Sequence, residues 1–130
     1  MTAIPPVKII KPAFSDARGD IIDVLEAPVH HTGIITFAKD AVRANHYHRL
    51  QTQYTYVLSG TIELRMRPAD DENAPVITTV MKPGAFAEVP PNTVHAYKAL
   101  EPASMICLTT KERGSEAAYE EDTVRVPSLF

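Results

Sequence analysis

Eleven prolines, spread from Pro5 to Pro127, divide this chain of 130 residues into short pieces. Proline lacks a backbone N–H and fixes φ, so a long helix cannot run through it and a central strand rarely holds it. Short strands joined by turns are what such spacing permits. The residues between the prolines agree. Ile21–Leu25, Gly33–Phe37, Tyr54–Leu58, Thr61–Met66, Val76–Val80 and Met105–Thr109 are rich in β-branched and aromatic types. The clearest alternation is Ile62-Glu63-Leu64-Arg65-Met66-Arg67, apolar on one face and charged on the other. Ser59-Gly60 stands between two such runs and reads as a hairpin turn. The stretch from Pro68 to Pro75 reads as a solvated loop, and Pro83-Gly84 and Pro90-Pro91-Asn92 as turns. Eight or more short strands with turns about every ten residues predict an all-β fold, an antiparallel sandwich or barrel.

The length suits one domain spanning residues 1–130, with no linker, internal repeat or low-complexity tract. The tail, residues 114–130, is the least patterned part. Ser115 to Glu121 reads as one or two helical turns, and Thr123–Val126 as a short edge strand. Thirteen Lys and Arg against sixteen Asp and Glu give a net charge of −3. That balance excludes the basic face a general nucleic-acid binder needs. Cys107 is the only cysteine, which excludes an intrachain disulfide and a cysteine-built zinc knot. With no apolar run near ~18 residues and no signal-peptide core after Met1, the expectation is a cytoplasmic protein without a membrane partner.

The chemistry-bearing residues are histidines. His46 and His48 are two apart in a strand-like segment, so both imidazoles leave one face. His95 lies in a second such segment, Thr93–Leu100. His30-His31 falls where strands meet and reads as a solvated turn. An H-x-H alone is weak, since five histidines scattered over 130 positions produce one about one time in seven. The spacing around it adds weight: Gln53 and Gly60 follow at intervals of five and seven, and Gly84, Pro90 and His95 at intervals of six and five. By strand parity Tyr97 shares the face of His95, whereas Tyr54 and Tyr56 oppose Gln53 and face an outer layer or a partner subunit. Cys107 reads as a small buried hydrophobe.

With these residues in place the chain resembles the cupins, whose motifs read G-x5-H-x-H-x4-E-x6-G and G-x5-P-x-G-x2-H-x3-N. His46, His48, Gln53 and Gly60 match the first; Gly84, Pro90 and His95 match the second. Asp40 replaces the first Gly, Gln53 the Glu, Asn92 the second Gly and Ala99 the Asn. Asn tolerates the left-handed turn conformation, so Asn92 is benign. The resemblance implies an antiparallel double-stranded β-helix, the jelly-roll barrel, with motif core 40–99. It also implies one divalent transition metal (Zn, Ni, Fe or Mn) held by His46, His48, Gln53 and His95. Two imidazoles from one strand and a third from a facing strand can converge on one ion, with water in the open positions. Gln53 either ligates without bringing charge or turns its amide to orient a neighbour.

Barrels of this kind host isomerases, oxygenases and plain binders, so fold alone does not settle function. Phe14-Ser15-Asp16-Ala17-Arg18-Gly19-Asp20 resembles the opening of cupins that act on nucleotide-linked deoxy-ketosugars. The leading expectation is therefore an isomerase or epimerase moving a proton on a keto sugar, with Tyr97, His46 and His48 as catalytic residues. Arg49, Arg65 and Lys98 point away from the pocket by parity, leaving Arg18 or Arg43 near the rim for a diphosphate. Some relatives work without metal, using the H-x-H histidines as bases. The alternatives are a metal-dependent dioxygenase on a small organic substrate and a non-enzymatic small-molecule or sugar binder. A homodimer is expected from the resemblance and from the exposed edges of small β proteins.

Overall fold

A computed structural model describes residues 3–112 and 114–130. Among these residues the elements run β1 (Lys8–Ile9), β2 (Phe14–Asp16), β3 (Gly19–Ile21), β4 (His31–Phe37), β5 (Val42–His48), β6 (Gln53–Ser59), β7 (Ile62–Pro68), β8 (Ile77–Met81), β9 (Ala85–Val89), β10 (Thr93–Ala99), β11 (Ala103–Thr109), α1 (Glu116–Glu121) and β12 (Thr123–Arg125). They form two five-stranded antiparallel sheets, ordered β1-β9-β6-β11-β4 and β12-β5-β10-β7-β8, while β2 and β3 make a separate ribbon. From β4 onward the chain changes sheet at nearly every connection, and of the steps up to β11 only β7 to β8 stays in one sheet. That alternation is the jelly-roll path, and the fold is all-β as the sequence predicts.

Period-two burial fills the space between the sheets. Ile62, Leu64 and Met66 of β7 are buried while Glu63, Arg65 and Arg67 lie on the outer face. Fully burying each such side chain contributes about 1.5–3 kcal/mol. Val57, Val89, Tyr97, Ala99, Met81 and Met105 complete the core from the other strands. No helix among the described residues is long and apolar enough to cross a membrane.

Several sequence expectations need correction. Ser59-Gly60 is not a hairpin turn, because β6 and β7 belong to different sheets. It is a corner, and Gly60 takes φ 76° there. A Cβ on Gly60 would run into the Pro102 carbonyl oxygen and come within 2.7 Å of Ala103 Cα, so this crossing admits only glycine. The run Ile21–Leu25 holds strand structure only at Ile21, where β3 ends. Tyr56, on the face opposite Gln53 as parity predicts, is buried beside Phe86, its partner across β6 and β9. Tyr54, half-buried, stacks on the same Phe86 ring at 5.9 Å.

The motif substitutions fit their backbone. Asp40 and Asn92, standing at the two glycine places, take φ 67° and 59°. Both residue types enter the left-handed region more readily than others, through local side-chain hydrogen bonding. A bulge interrupts β5 just before His46. His95 pairs with His46 but Ala96 pairs with Ala44; the skipped residue, Asn45, and its neighbour Ala44 both have positive φ, 57° and 73°. The extra residue re-aims the strand where the site begins. The C-terminal segment secures it, with Val126 N donating to Asn45 O at 3.0 Å and Leu129 N to Asn45 Oδ1 at 2.9 Å.

Candidate functional site

The inner faces of β5 and β10 bring His46, His48 and His95 together. The register places His95 directly opposite His46. Ring centroids are 4.7 Å apart for His46 and His48, 4.8 Å for His46 and His95, and 5.6 Å for His48 and His95. One nitrogen of each ring lies within 4.8 Å of the others. Three of the buried nitrogens, His46 Nδ1, His48 Nε2 and His95 Nε2, have no hydrogen-bond partner among the described residues. The opposite nitrogens of two rings are engaged: His48 Nδ1 lies 3.3 Å from Asp122 O, and His95 Nδ1 lies 3.0 Å from Thr93 O. A carbonyl only accepts, so each Nδ1 carries the proton and each Nε2 keeps its lone pair.

Burial sets the charge of the cluster. It lowers His46 to about 2, with help from His95 and His48, and lowers His95 to about 4. His48 is lowered for the same reason. Neutral imidazoles with free lone pairs are the ligating form, and carbonyl-held Nδ1–H groups are the usual support of metal-binding histidines. The donor set therefore fits a divalent transition metal.

Beside the histidines lies Tyr97, fully buried on β10. Its hydroxyl receives a hydrogen bond from Gln53 Nε2 at 3.1 Å and pairs with Thr55 Oγ1 at 2.8 Å. Burial pushes its ionisation well above the ordinary phenol range. Gln53 thus turns its amide nitrogen toward Tyr97.

A cavity of about 390 Å³ opens onto this group, lined by His46, Gln53 and Tyr97 but not by His48 or His95. The volume lies within the range of small-molecule sites. Cys107, buried as expected, is on its wall. Gln51, His31 and Tyr119 also line the cavity, although the sequence assigns none of them to the site. Gln51 shares the parity of Gln53, a signal that was there to read. His31 is not in a solvated turn; it opens β4, half-buried, with its Cε1 3.4 Å from where a Gly33 Cβ would sit. Tyr119 arrives on α1, and no local pattern announces it.

Of the candidate cations, Arg43 lines the cavity, its guanidinium 5.3 Å over the Phe37 ring and donating to Thr36 O at 3.0 Å. Arg18 does not line it. Its side chain is 86% exposed on the β2–β3 ribbon and bridges Asp16 at 2.6 Å. Arg65 is held outside, 4.2 Å under the Phe130 ring.

A family model described as "Cupin domain" matches residues 33–110. No curated protein matches the chain. Solved structures with the same fold include QdtA, a sugar 3,4-ketoisomerase from Thermoanaerobacterium thermosaccharolyticum in complex with TDP, at 18% identity and TM-score 0.72, covering 92% of this chain and 88% of that one. The dTDP-4-dehydrorhamnose 3,5-epimerase from Sulfolobus tokodaii aligns at 22% identity and TM-score 0.67, covering 80% and 69%. The rmlC epimerase of Mycobacterium tuberculosis aligns at 16% identity and TM-score 0.73, covering 97% and 71%. At these identities the likeness is one of fold.

Proposed function

The chain belongs to the cupin family, and on that premise we propose that it is a sugar-modifying isomerase or epimerase, moving a proton on a nucleotide-linked keto sugar held in the barrel cavity. The observation that carries this reading is that His46 and Tyr97, a neutral imidazole and a protonated phenol, line one cavity large enough for a small molecule. Neutral imidazole is the form that accepts a proton from the carbon beside a carbonyl. The developing oxyanion then needs a donor, and a hydroxyl that burial keeps protonated supplies it. Gln53 and Thr55 fix that hydroxyl in place. Arg43 at the cavity wall is the cation available to a diphosphate. The names of the structural relatives, a TDP-bound ketoisomerase and two epimerases, support the substrate class.

With a divalent metal bound, His46, His48 and His95 would hold it through their three unpartnered nitrogens, with Gln53 nearby, and His46 would then be a ligand instead of the proton acceptor. Such an ion supplies Lewis acidity that polarises a carbonyl oxygen. The same three nitrogens also suit a metal-dependent dioxygenase, which is the second reading.

The deciding experiment incubates the protein with dTDP-4-keto-6-deoxyglucose in D2O and follows the sugar by NMR. Deuterium should enter at a carbon flanking the keto group. His46→Asn and Tyr97→Phe, checked for folding by circular dichroism, should slow it by about 100-fold or more, the scale of general acid–base effects. The absence of both exchange and saturable binding in the folded wild type would overturn the reading, and oxygen uptake by Fe(II)-loaded protein would then move the dioxygenase forward.

A further inference from the structure

The C-terminal segment reaches the site from outside the motif core. β12 adds to the edge of β5 with Thr123 opposite His48, and α1 sets the Tyr119 ring 5.7 Å from the His48 ring. Between the two stands Asp122, only 3% exposed. Its carboxylate accepts three consecutive backbone N–H groups just past His48: Arg49 at 3.1 Å and Leu50 at 2.8 Å on Oδ1, and Gln51 at 3.2 Å on Oδ2. Its backbone carbonyl lies 3.3 Å from His48 Nδ1 and also accepts from Arg49 N at 3.3 Å. A carboxylate out of water is costly unless its lone pairs are used, and here they are spent on the end of the strand that carries the site.

We propose that Asp122 is a positioning residue: it fixes which nitrogen of His48 faces His46 and His95, and it sets Gln51 on the cavity wall. The neighbouring hydroxyl closes off the other tautomer. Thr123 Oγ1 lies 3.4 Å from His48 Nδ1, but its proton is donated to Tyr119 O at 2.8 Å. The two groups at hydrogen-bond distance of Nδ1, the Asp122 carbonyl and the Thr123 hydroxyl, then both accept, so Nδ1 holds the proton and Nε2 presents its lone pair. His95 reaches the same state by a device internal to its own strand, through Thr93 O two residues away. His48 depends on a residue 74 positions later, and the carboxylate clamp holds that residue in place. The inference deepens the functional reading above, because it takes His48 to belong to the site, but its test does not require turnover.

Asp122→Asn keeps Oδ1 for Arg49 and Leu50 and turns an NH2 toward the Gln51 N–H, donor against donor. Long-range 1H–15N spectra of the imidazoles in metal-free protein report each tautomer, with His95 as the internal control. In the wild type both His48 and His95 should carry hydrogen on Nδ1. In the variant His48 should become mixed while His95 stays, and Co(II), titrated alone and followed by its absorption, should bind about 10-fold or more weakly. A folded variant in which His48 keeps its tautomer overturns the proposal. So does one in which both histidines change together, since that marks a loosened barrel. If the variant does not fold, the wild type decides. Nδ1–H on His48 with slow amide exchange at Arg49, Leu50 and Gln51 supports the clamp, and hydrogen on Nε2 refutes it. Wild-type protein that takes no Co(II) would remove the metal reading and leave the tautomer comparison to decide this one.

Discussion

Tyr97 shows how a buried side chain is held in place by polar partners from another strand. Its hydroxyl sits among buried partners, receiving from Gln53 and pairing with Thr55. Removing it leaves a buried amide donor and a buried hydroxyl without that partner, which costs more than the hydrogen bonds gave. Tyr97→Phe should therefore lower the unfolding free energy by about 1–3 kcal/mol, read as a shifted urea midpoint at unchanged slope. An unshifted midpoint would show that the network contributes nothing. At this scale the sequence is informative about direction and silent about partners. Strand parity places Tyr97 with His95, and the spacing from His48 singles out Gln53. That the Gln53 amide nitrogen addresses a hydroxyl depends on what stands across the barrel, on a strand 44 residues away. His31 departs from the solvated-turn expectation for a different reason. Taken with His30 it looks like a polar turn, yet the period-two pattern of Gly33, Ile35 and Phe37, extended back by two, already points it inward.

Between elements, the corners carry the information that distinguishes this barrel from a set of hairpins. A Ser-Gly pair between two strand-like runs suits a hairpin and a crossing between sheets equally well, since both need a residue with positive φ. What separates them is the long-range pairing. β6 goes to β9 and β11, whereas β7 goes to β8 and β10. The strictness at Gly60 likewise comes from Pro102 and Ala103, about forty positions on. Gly60→Ala combines a strained φ with a clash against backbone that no rotamer change relieves. We expect a loss of about 2–4 kcal/mol, measured by chemical unfolding. A variant as stable as the wild type would mean that the corner can move. The tail obeys the same division. Its helix is legible locally, with Ser115 capping Ala118 N at 3.1 Å. Its docking on β5, which brings Asp122 and Tyr119 to His48, depends on a free sheet edge more than 70 residues earlier in the chain.

For the molecule as a whole, a barrel that buries three neutral imidazoles ties its stability to pH. In the unfolded chain these histidines titrate near 6.5. In the folded one, burial lowers all three, His95 to about 4 and His46 to about 2. Below pH 6.5 the unfolded state therefore binds protons that the folded state refuses, and protonation favours unfolding. The contribution of the neutral histidines is complete above pH 6.5 and is lost as pH falls, most of that of His95 by about pH 4. Each histidine adds up to about 1.4 kcal/mol per pH unit to the slope within its window. Urea unfolding at pH 7.5, 6.5, 5.5 and 4.5 should show stability level above 6.5 and falling below it. Carboxylates also act toward the acid end, so the decisive comparison is with His95→Asn between pH 6 and 5. That variant, although less stable at pH 7.5, should lose stability more slowly, by about 1 kcal/mol per pH unit. Parallel curves would mean that His95 is not held neutral in the fold. A bound divalent metal should raise the stability above pH 6.5 and steepen the acid loss, because protonated imidazoles release it.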